Sequence, residues 1–301
     1  SDPPLLRHYR TFVTEVIKRY GWAFSAYEPI NEANIPGFFT GSPEDAAAMT
    51  LEVYRASRRY DSNAKVLTAS YVVVGWETEE WIGIRLDSLR SYLQALAARG
   101  APFDVVALHH YSANDHARRH VMQRTAQAIA ETGFGSKPRW DTEFNLRTTI
   151  SQDDARYADD EGARLLVKSF IDGIRAGYER QYWYAWTDKF DPWNGIQMGG
   201  GMSNKTSNAA IAFTRVVTVL KGSVLRECTD SGWGAGITAC RFTGGNRPQG
   251  FWVAWTRDKS RQQVPIPVRA GWVVQSLIES DNQTSPALIV DDTPRLFSPR
   301  T

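Results

Sequence analysis

Two glutamates stand at the ends of strand-like segments far apart in the chain, Glu32 in "YEPINEAN" (residues 27–34) and Glu143 in "PRWDTEFNL" (residues 138–146). Two carboxylates brought together from different strands suit one chemistry in particular. Cleaving a glycosidic bond with retention takes a carboxylic acid that protonates the departing oxygen and a carboxylate about 5–5.5 Å away that attacks the anomeric carbon. The acid needs a raised pKa and the nucleophile a low one, so their surroundings must differ. Asn31, beside Glu32, is placed to bind a sugar 2-hydroxyl, and Tyr111, closing "HHY", to donate to Glu143 and keep it ionised. For either glutamate alone, pairing with a basic residue is the competing reading; the two together, each in its motif, favour catalysis. Glu28, within the strand that leads to Glu32, and Asp141 read as structural interior carboxylates. His109 and His110 are metal-ligand types, yet no HExxH or Cys/His cluster accompanies them, so hydrogen bonding is the favoured role and no metal or cofactor is expected.

The elements that must position these residues are legible in the first 220 or so residues. Leu5, Leu6, Tyr9, Phe12, Val13, Val16, Ile17 and Tyr20 repeat at helical spacing and stop at Gly21, read as a C-terminal cap. "SPEDAAA" opens a helix that ends near Tyr60, with Ser42 as cap, Pro43 at the first helical position and Asp45 completing a capping box. Further helices are expected at Leu86–Ala98, Ala117–Glu131, about Ala155–Gly177 and Ser207–Leu220. Strand-like segments lie at about 22–30, 64–73, 103–111, 138–146 and 180–188. Strands that alternate with helices and are apolar on both faces argue for a parallel sheet covered by helices. Asn31 and Glu32, His109 to Tyr111, Glu143, and Trp186 to Asp188 all fall at carboxyl ends of these strands, where α/β proteins build their sites. "MGGGMSN" (198–204) lacks the phosphate-loop pattern and reads as a mobile loop over that face.

From about Gly222 the pattern changes to short β-rich runs, "GITACRF", "GFWVAWT", "QQVPIPV", "GWVVQSLI" and "ALIV", which read as an antiparallel sheet without helices. The expected domains are therefore 1–221 and 222–301. Cys228 and Cys240 flank a Gly-rich turn that suits a cross-strand disulfide, with two free thiols as the alternative; a bridge would favour an oxidising compartment, secreted or periplasmic. A net charge of +2 is too balanced to imply nucleic acid or an anionic membrane, and no apolar run is long enough to span a bilayer. Eleven Trp, twelve Tyr and thirteen Phe give flat rings on which sugar C–H faces stack, although core packing accounts for most of them.

"NEAN", "HHY", "TEF" and "WYAW", in this order and spacing, resemble the retaining glycoside hydrolases of clan A, and the β-rich tail resembles the small sandwich that follows such barrels in families 39 and 5. The resemblance runs from about residue 5 to 221. It implies a (β/α)8 TIM-type barrel of which this chain carries strands four to eight, followed by an antiparallel β-sandwich. It implies a β-glycosidase acting on a polysaccharide or oligosaccharide, with Glu32 as acid/base, Asn31 its partner and Glu143 as nucleophile. His109, Tyr111 and Trp186 would line the subsite for the attacked sugar. The first three barrel strands have no counterpart in these residues, so an N-terminal barrel segment is expected from the parent chain, and the chain alone is expected to be inactive. A carbohydrate-binding protein of the same ancestry is the alternative.

Overall fold

The structure is a computed structural model that describes residues 3–146, 160–186, 196, 207–245, 247–256, 262–263, 272–276, 289–290 and 295–299. Helix α1 (Pro3–Tyr20) buries Val13 and Ile17 against Val53, Ala56 and Val66. It does not end in a left-handed glycine cap as its sequence suggests: Gly21–Ala23 form a 3-10 turn, and a Cβ at Gly21 would lie close against the Asp61 side chain, 3.1 Å from its Cβ. Strand β1 (Ala26–Tyr27) is short, and α2 (Pro43–Tyr60) opens with the expected capping box, Ser42 Oγ accepting from Asp45 N and Asp45 Oδ2 from Ser42 N.

The second strand segment is divided into β2 (Lys65–Val66) and β3 (Tyr71–Val74). Between them side-chain hydroxyls stand in for ladder acceptors, with Thr68 Oγ1 accepting from Ala107 N at 2.9 Å and Ser70 Oγ from Glu32 N at 3.0 Å. Helix α3 (Glu79–Ala97) starts earlier than its sequence suggests, because Thr78 caps it and Gly83 is carried inside it. Then follow β4 (Val106–Ser112), α4 (Asp115–Glu131, capped by Asn114), β5 (Arg139–Leu146), α5 (Asp160–Arg175), β6 (Tyr178–Trp183) and α6 (Asn208–Leu220, capped by Ser207).

Strand β1 pairs parallel with β2, and a four-stranded sheet runs in the order β3-β4-β5-β6, with β3–β4 and β5–β6 parallel. A parallel bridge between Leu67 and Val105 and the bond from Thr68 N to Val105 O join the two sheets. Strand order thus follows chain order, and Tyr92, Leu93, Leu96, Phe103, Leu108 and Ile129 form the main core cluster. Among the described residues β1 pairs only with β2, and β6 only with β5.

The tail contains β7 (Ser223–Thr229), β8 (Ile237–Gly244), β9 (Arg247–Thr256), β10 (Gln262–Gln263), β11 (Trp272–Ser276), β12 (Ile289–Val290) and β13 (Arg295–Pro299). Five of these form an antiparallel sheet, β11-β13-β9-β8-β7, and β10 pairs with β12. Strand β13 was not expected from sequence, and β7 was implied only by the cross-strand disulfide at Cys228. Cys228 and Cys240 sit opposite each other in β7 and β8, 4.1 Å apart at Cα, and are disulfide-bonded. By packing, the chain divides into Ser1–Asn145 with Ala176–Tyr184, and Leu146–Arg175 with Ala185–Thr301. Helices α5 and α6 pack on each other and on β7 in the second unit. The expected loop at 198–204 and the segment Thr187–Asp188 lie outside the described residues.

Candidate active site

Glu32 is held in a backbone conformation that few side-chain-bearing residues adopt, with φ at 44°. Such a conformation persists where its surroundings over-determine it, and functional sites are where it concentrates. The loop 30–34 is stitched to the second strand segment: Glu32 N donates to Ser70 Oγ and Ala33 N to Ser70 O, both at 3.0 Å, while Ser70 N donates to Ile30 O. Asn34 completes the attachment through its amide, Nδ2 donating to Val72 O at 2.9 Å and Oδ1 accepting from Val72 N at 3.0 Å.

Across β3, the register pairs Val72 with His109 and Val74 with Tyr111, which brings the end of β4 beside the Glu32 loop. His109 is only 2% exposed, and its Nδ1 is hydrogen-bonded to Glu32 Oε1 at 3.0 Å and lies 3.9 Å from Glu143 Oε1. Its Nε2 lies 4.0 Å from Glu28 Oε1. Tyr111 Oη donates to Glu143 Oε1. Gly75 N donates to Tyr111 O at 2.7 Å, and a Cβ at Gly75 would meet Ser112 Oγ at 2.4 Å, so only glycine lets the strand ends approach this closely. The Trp76 ring sits 6.4 Å from that of Tyr111.

On the other side of β4 a buried ion pair fixes β4 to β5. Asp141 Oδ1 accepts from His110 N at 3.2 Å and Oδ2 from Arg118 Nη2 at 2.5 Å, and the guanidinium lies over the Phe144 ring. His110, buried beside it, has its pKa lowered, by burial first, so the ring stays neutral. Asp141 is thus an interior partner of Arg118, whereas Glu28 faces His109.

Burial is the largest influence on Glu143 and pushes its pKa up; Glu32 and Glu28 add to this, while His109 and the Tyr111 hydrogen bond pull the other way. Tyr111 therefore acts in the expected sense, but the net displacement of Glu143 is upward. Burial lowers the pKa of His109, yet Glu32, Glu143 and Glu28 together outweigh it and the net direction is up. Tyr111 is pushed far up by burial and by Glu143, which keeps it a phenol donor.

One ligand atom each from Glu32, His109 and Glu143 lies within 4.8 Å of the others. These are residue types that bind divalent metals, but here the imidazole is spent on Glu32 and the phenol on Glu143, a hydrogen-bonded acid cluster in its own right. Asn31 is exposed beside Glu32. Trp186, in the second unit, is exposed, with its ring edge-on to Phe213 at 6.3 Å. Sequence reasoning missed Asn34, Ser70 and Trp76. Only Asn34 left a trace, as the second asparagine of "NEAN".

No family model matches the chain, and no curated protein matches it in sequence. Solved structures do share its fold. A glucosidase from Croceicoccus marinus aligns over 98% of this chain and 75% of its own at 14% identity, TM-score 0.63. A monomeric beta-xylosidase from Caulobacter crescentus aligns over 99% and 75% at 11% identity, TM-score 0.61. The GH39 enzyme from Xanthomonas axonopodis pv. citri aligns over 98% and 73% at 14% identity, TM-score 0.59. The chain is thus a mixed α/β protein, with a parallel and an antiparallel sheet, whose structural neighbours are glycoside hydrolases.

Proposed function

We propose that the chain is the catalytic part of a retaining β-glycoside hydrolase that cleaves O-glycosidic bonds of a polysaccharide or oligosaccharide by double displacement. The observation that carries this reading is the approach of the Glu32 and Glu143 carboxylates, with oxygens within 4.8 Å, from the loop after β1 and from within β5. Retaining enzymes hold their carboxyl groups about 5–5.5 Å apart, inverting ones about 6.5–9.5 Å. Glu143 attacks the anomeric carbon as the bond to the departing oxygen breaks, and the proton of Glu32 passes to that oxygen. Glu32 then takes a proton from water, whose oxygen displaces Glu143 from the sugar. Tyr111 holds Glu143 in line, His109 backs Glu32 and Asn31 meets the 2-hydroxyl. The glucosidase and beta-xylosidase among the structural neighbours support the class, and the disulfide supports a secreted or periplasmic setting.

This reading takes β1, β2 with β3, β4, β5 and β6 as strands four to eight of an eight-stranded barrel and the tail sheets as a sandwich, so a further β/α segment would lie beside β1. The free outer edge of β1 among the described residues favours a second reading, an inactive carbohydrate-binding protein. A panel of nitrophenyl glycosides, assayed with the chain and with the longest form its coding sequence supports, separates the two. Glu143→Ala is expected to lose on the order of a thousandfold or more in turnover and to regain part of it with azide, which attacks in place of the carboxylate. Glu32→Ala is expected to spare substrates with good leaving groups, which need little protonation. Near-normal turnover by Glu143→Ala would remove it from the mechanism, and sugar binding with no turnover by any form would establish the second reading.

A further inference from the structure

Glu28 sits four residues before Glu32 and belongs to neither role in the displacement. Its side chain is partly buried, 22% exposed, and its Oε1 lies 4.0 Å from His109 Nε2. The imidazole is therefore bracketed by carboxylates at both nitrogens: Glu28 at Nε2, Glu32 and Glu143 at Nδ1. We propose that Glu28 is a positioning residue that holds the proton of His109 on Nε2, so that Nδ1 is the acceptor for the acid proton of Glu32. This rests on the reading of Glu32 as acid/base.

A neutral imidazole has one donor nitrogen and one acceptor, and the partner of one nitrogen decides the state of the other. When Glu32 carries its proton on Oε1, the 3.0 Å contact requires Nδ1 to accept, and the proton of the neutral ring must then sit on Nε2, where Glu28 favours it. At 4.0 Å the contact is longer than a direct hydrogen bond, so Glu28 acts by its charge. When Glu32 gives up its proton to the leaving group, the acceptor contact at Nδ1 is free to reverse. A proton reaching the pair then moves between Glu32 Oε1 and His109 Nδ1 by breaking one O–H bond and making one N–H bond, with no rotation of either group. A ring only 2% exposed cannot exchange that proton freely with bulk water.

The groups that face His109 are mostly acidic. The loop supplies Glu28 and Glu32, and β5 supplies Glu143. Along β4, Tyr111 is engaged with Glu143, and His110 turns to Asp141, which Arg118 of α4 already neutralises. The residue of β3 opposite His109 is Val72, which carries no charge. The raised pKa of His109 accords with this arrangement, Glu28 being among its causes.

The test reads His109 itself and needs no turnover. Side-chain 15N spectra of the full chain are recorded across pH, the five histidines being assigned by single His→Gln variants. The expected result is a neutral form of His109 protonated at Nε2 and a titration midpoint that falls by about one pH unit in Glu28→Gln. Glu28→Asp, which keeps the charge, is expected to fall less, and it serves where Glu28→Gln does not fold. A neutral form protonated at Nδ1, or a midpoint that neither variant moves, overturns the proposal. Failure of the acid/base reading would appear instead as equal loss by Glu32→Ala on good and poor leaving groups, while the Glu28 variants of the otherwise unaltered chain still shift His109 as expected.

Discussion

Glu143 serves two conflicting demands. As a nucleophile it must be ionised, yet its surroundings desolvate it, and Glu32 and Glu28 repel a charge there. A group whose folded pKa is raised contributes stability that is fully present below its unfolded pKa and is lost as pH rises through the folded value. At neutral pH the ionised carboxylate therefore costs stability. Glu143→Gln, which keeps the shape and can still accept from Tyr111, is expected to raise the melting temperature by a few degrees at pH 7. The gain should shrink towards acid pH, where the wild-type carboxyl is itself protonated. Melting curves at pH 7 and pH 4 check this, and an equal or lower melting temperature of the variant at both would refute it. The same upward displacement places the acid limb of any activity profile above the ordinary carboxylate range. The backbone of Glu32 carries a matching cost, because a side-chain-bearing residue at positive φ is held there at roughly 1 kcal/mol.

Elements convert these local costs into a fixed geometry, and the Arg118–Asp141 pair is the clearest instance. Both side chains are fully buried, and Asp141 also takes the backbone N–H of His110, so the pair sets β4 against β5 immediately beside Tyr111 and Glu143. Removing one partner leaves a buried charge uncompensated. Asp141→Ala is expected to lose about 3–5 kcal/mol of stability, measured by denaturant unfolding, whereas a loss below about 1 kcal/mol would mean that the pair is solvated or dispensable. The elements themselves were largely legible. The capping box of α2, the apolar run of β4 and the glycines after α3 and α4, at positive φ, are local signals that tertiary packing did not override. What was not legible depends on distant partners. Ser70 reads only as part of the segment 64–73 and Asn34 only as the close of "NEAN" until the bonds from Glu32 N to Ser70 Oγ and between Asn34 and Val72 tie loop to strand, and the extent of β7 shows only in its pairing with β8. The first turns of α3 lie before the helix expected at Leu86–Ala98, and Gly83 within them costs only about 1 kcal/mol in a helix that packing supports. The pairing of Glu32 with Glu143 was inferred from two strand ends, but the place of His109 between three carboxylates needed coordinates.

At the scale of the whole molecule, the parallel strands end on both sides without a further partner among the described residues. An unpaired edge is a template for another strand, and natural proteins protect such edges with charge, proline or a covering element. The residues that lead into β1 do none of these: Trp22 is 88% exposed and Phe24 50%, in the turn and the residue just after it. Large aromatics at an open edge favour self-association, and because they are exposed, replacing them should alter the fold's own stability by no more than about 0.5 kcal/mol. The double variant Trp22→Lys, Phe24→Lys is therefore expected to remain monomeric at concentrations where the unmodified chain associates, with the same melting temperature. Light scattering over a dilution series measures the first property and calorimetry the second. Unchanged association would place the contact elsewhere. A fall in melting temperature would mean that the two rings are packed and not open. The same edge is where the proposed reading places a further β/α segment, so loss of self-association in the variant, together with loss of turnover in the longest form of the chain, would identify one surface as serving both.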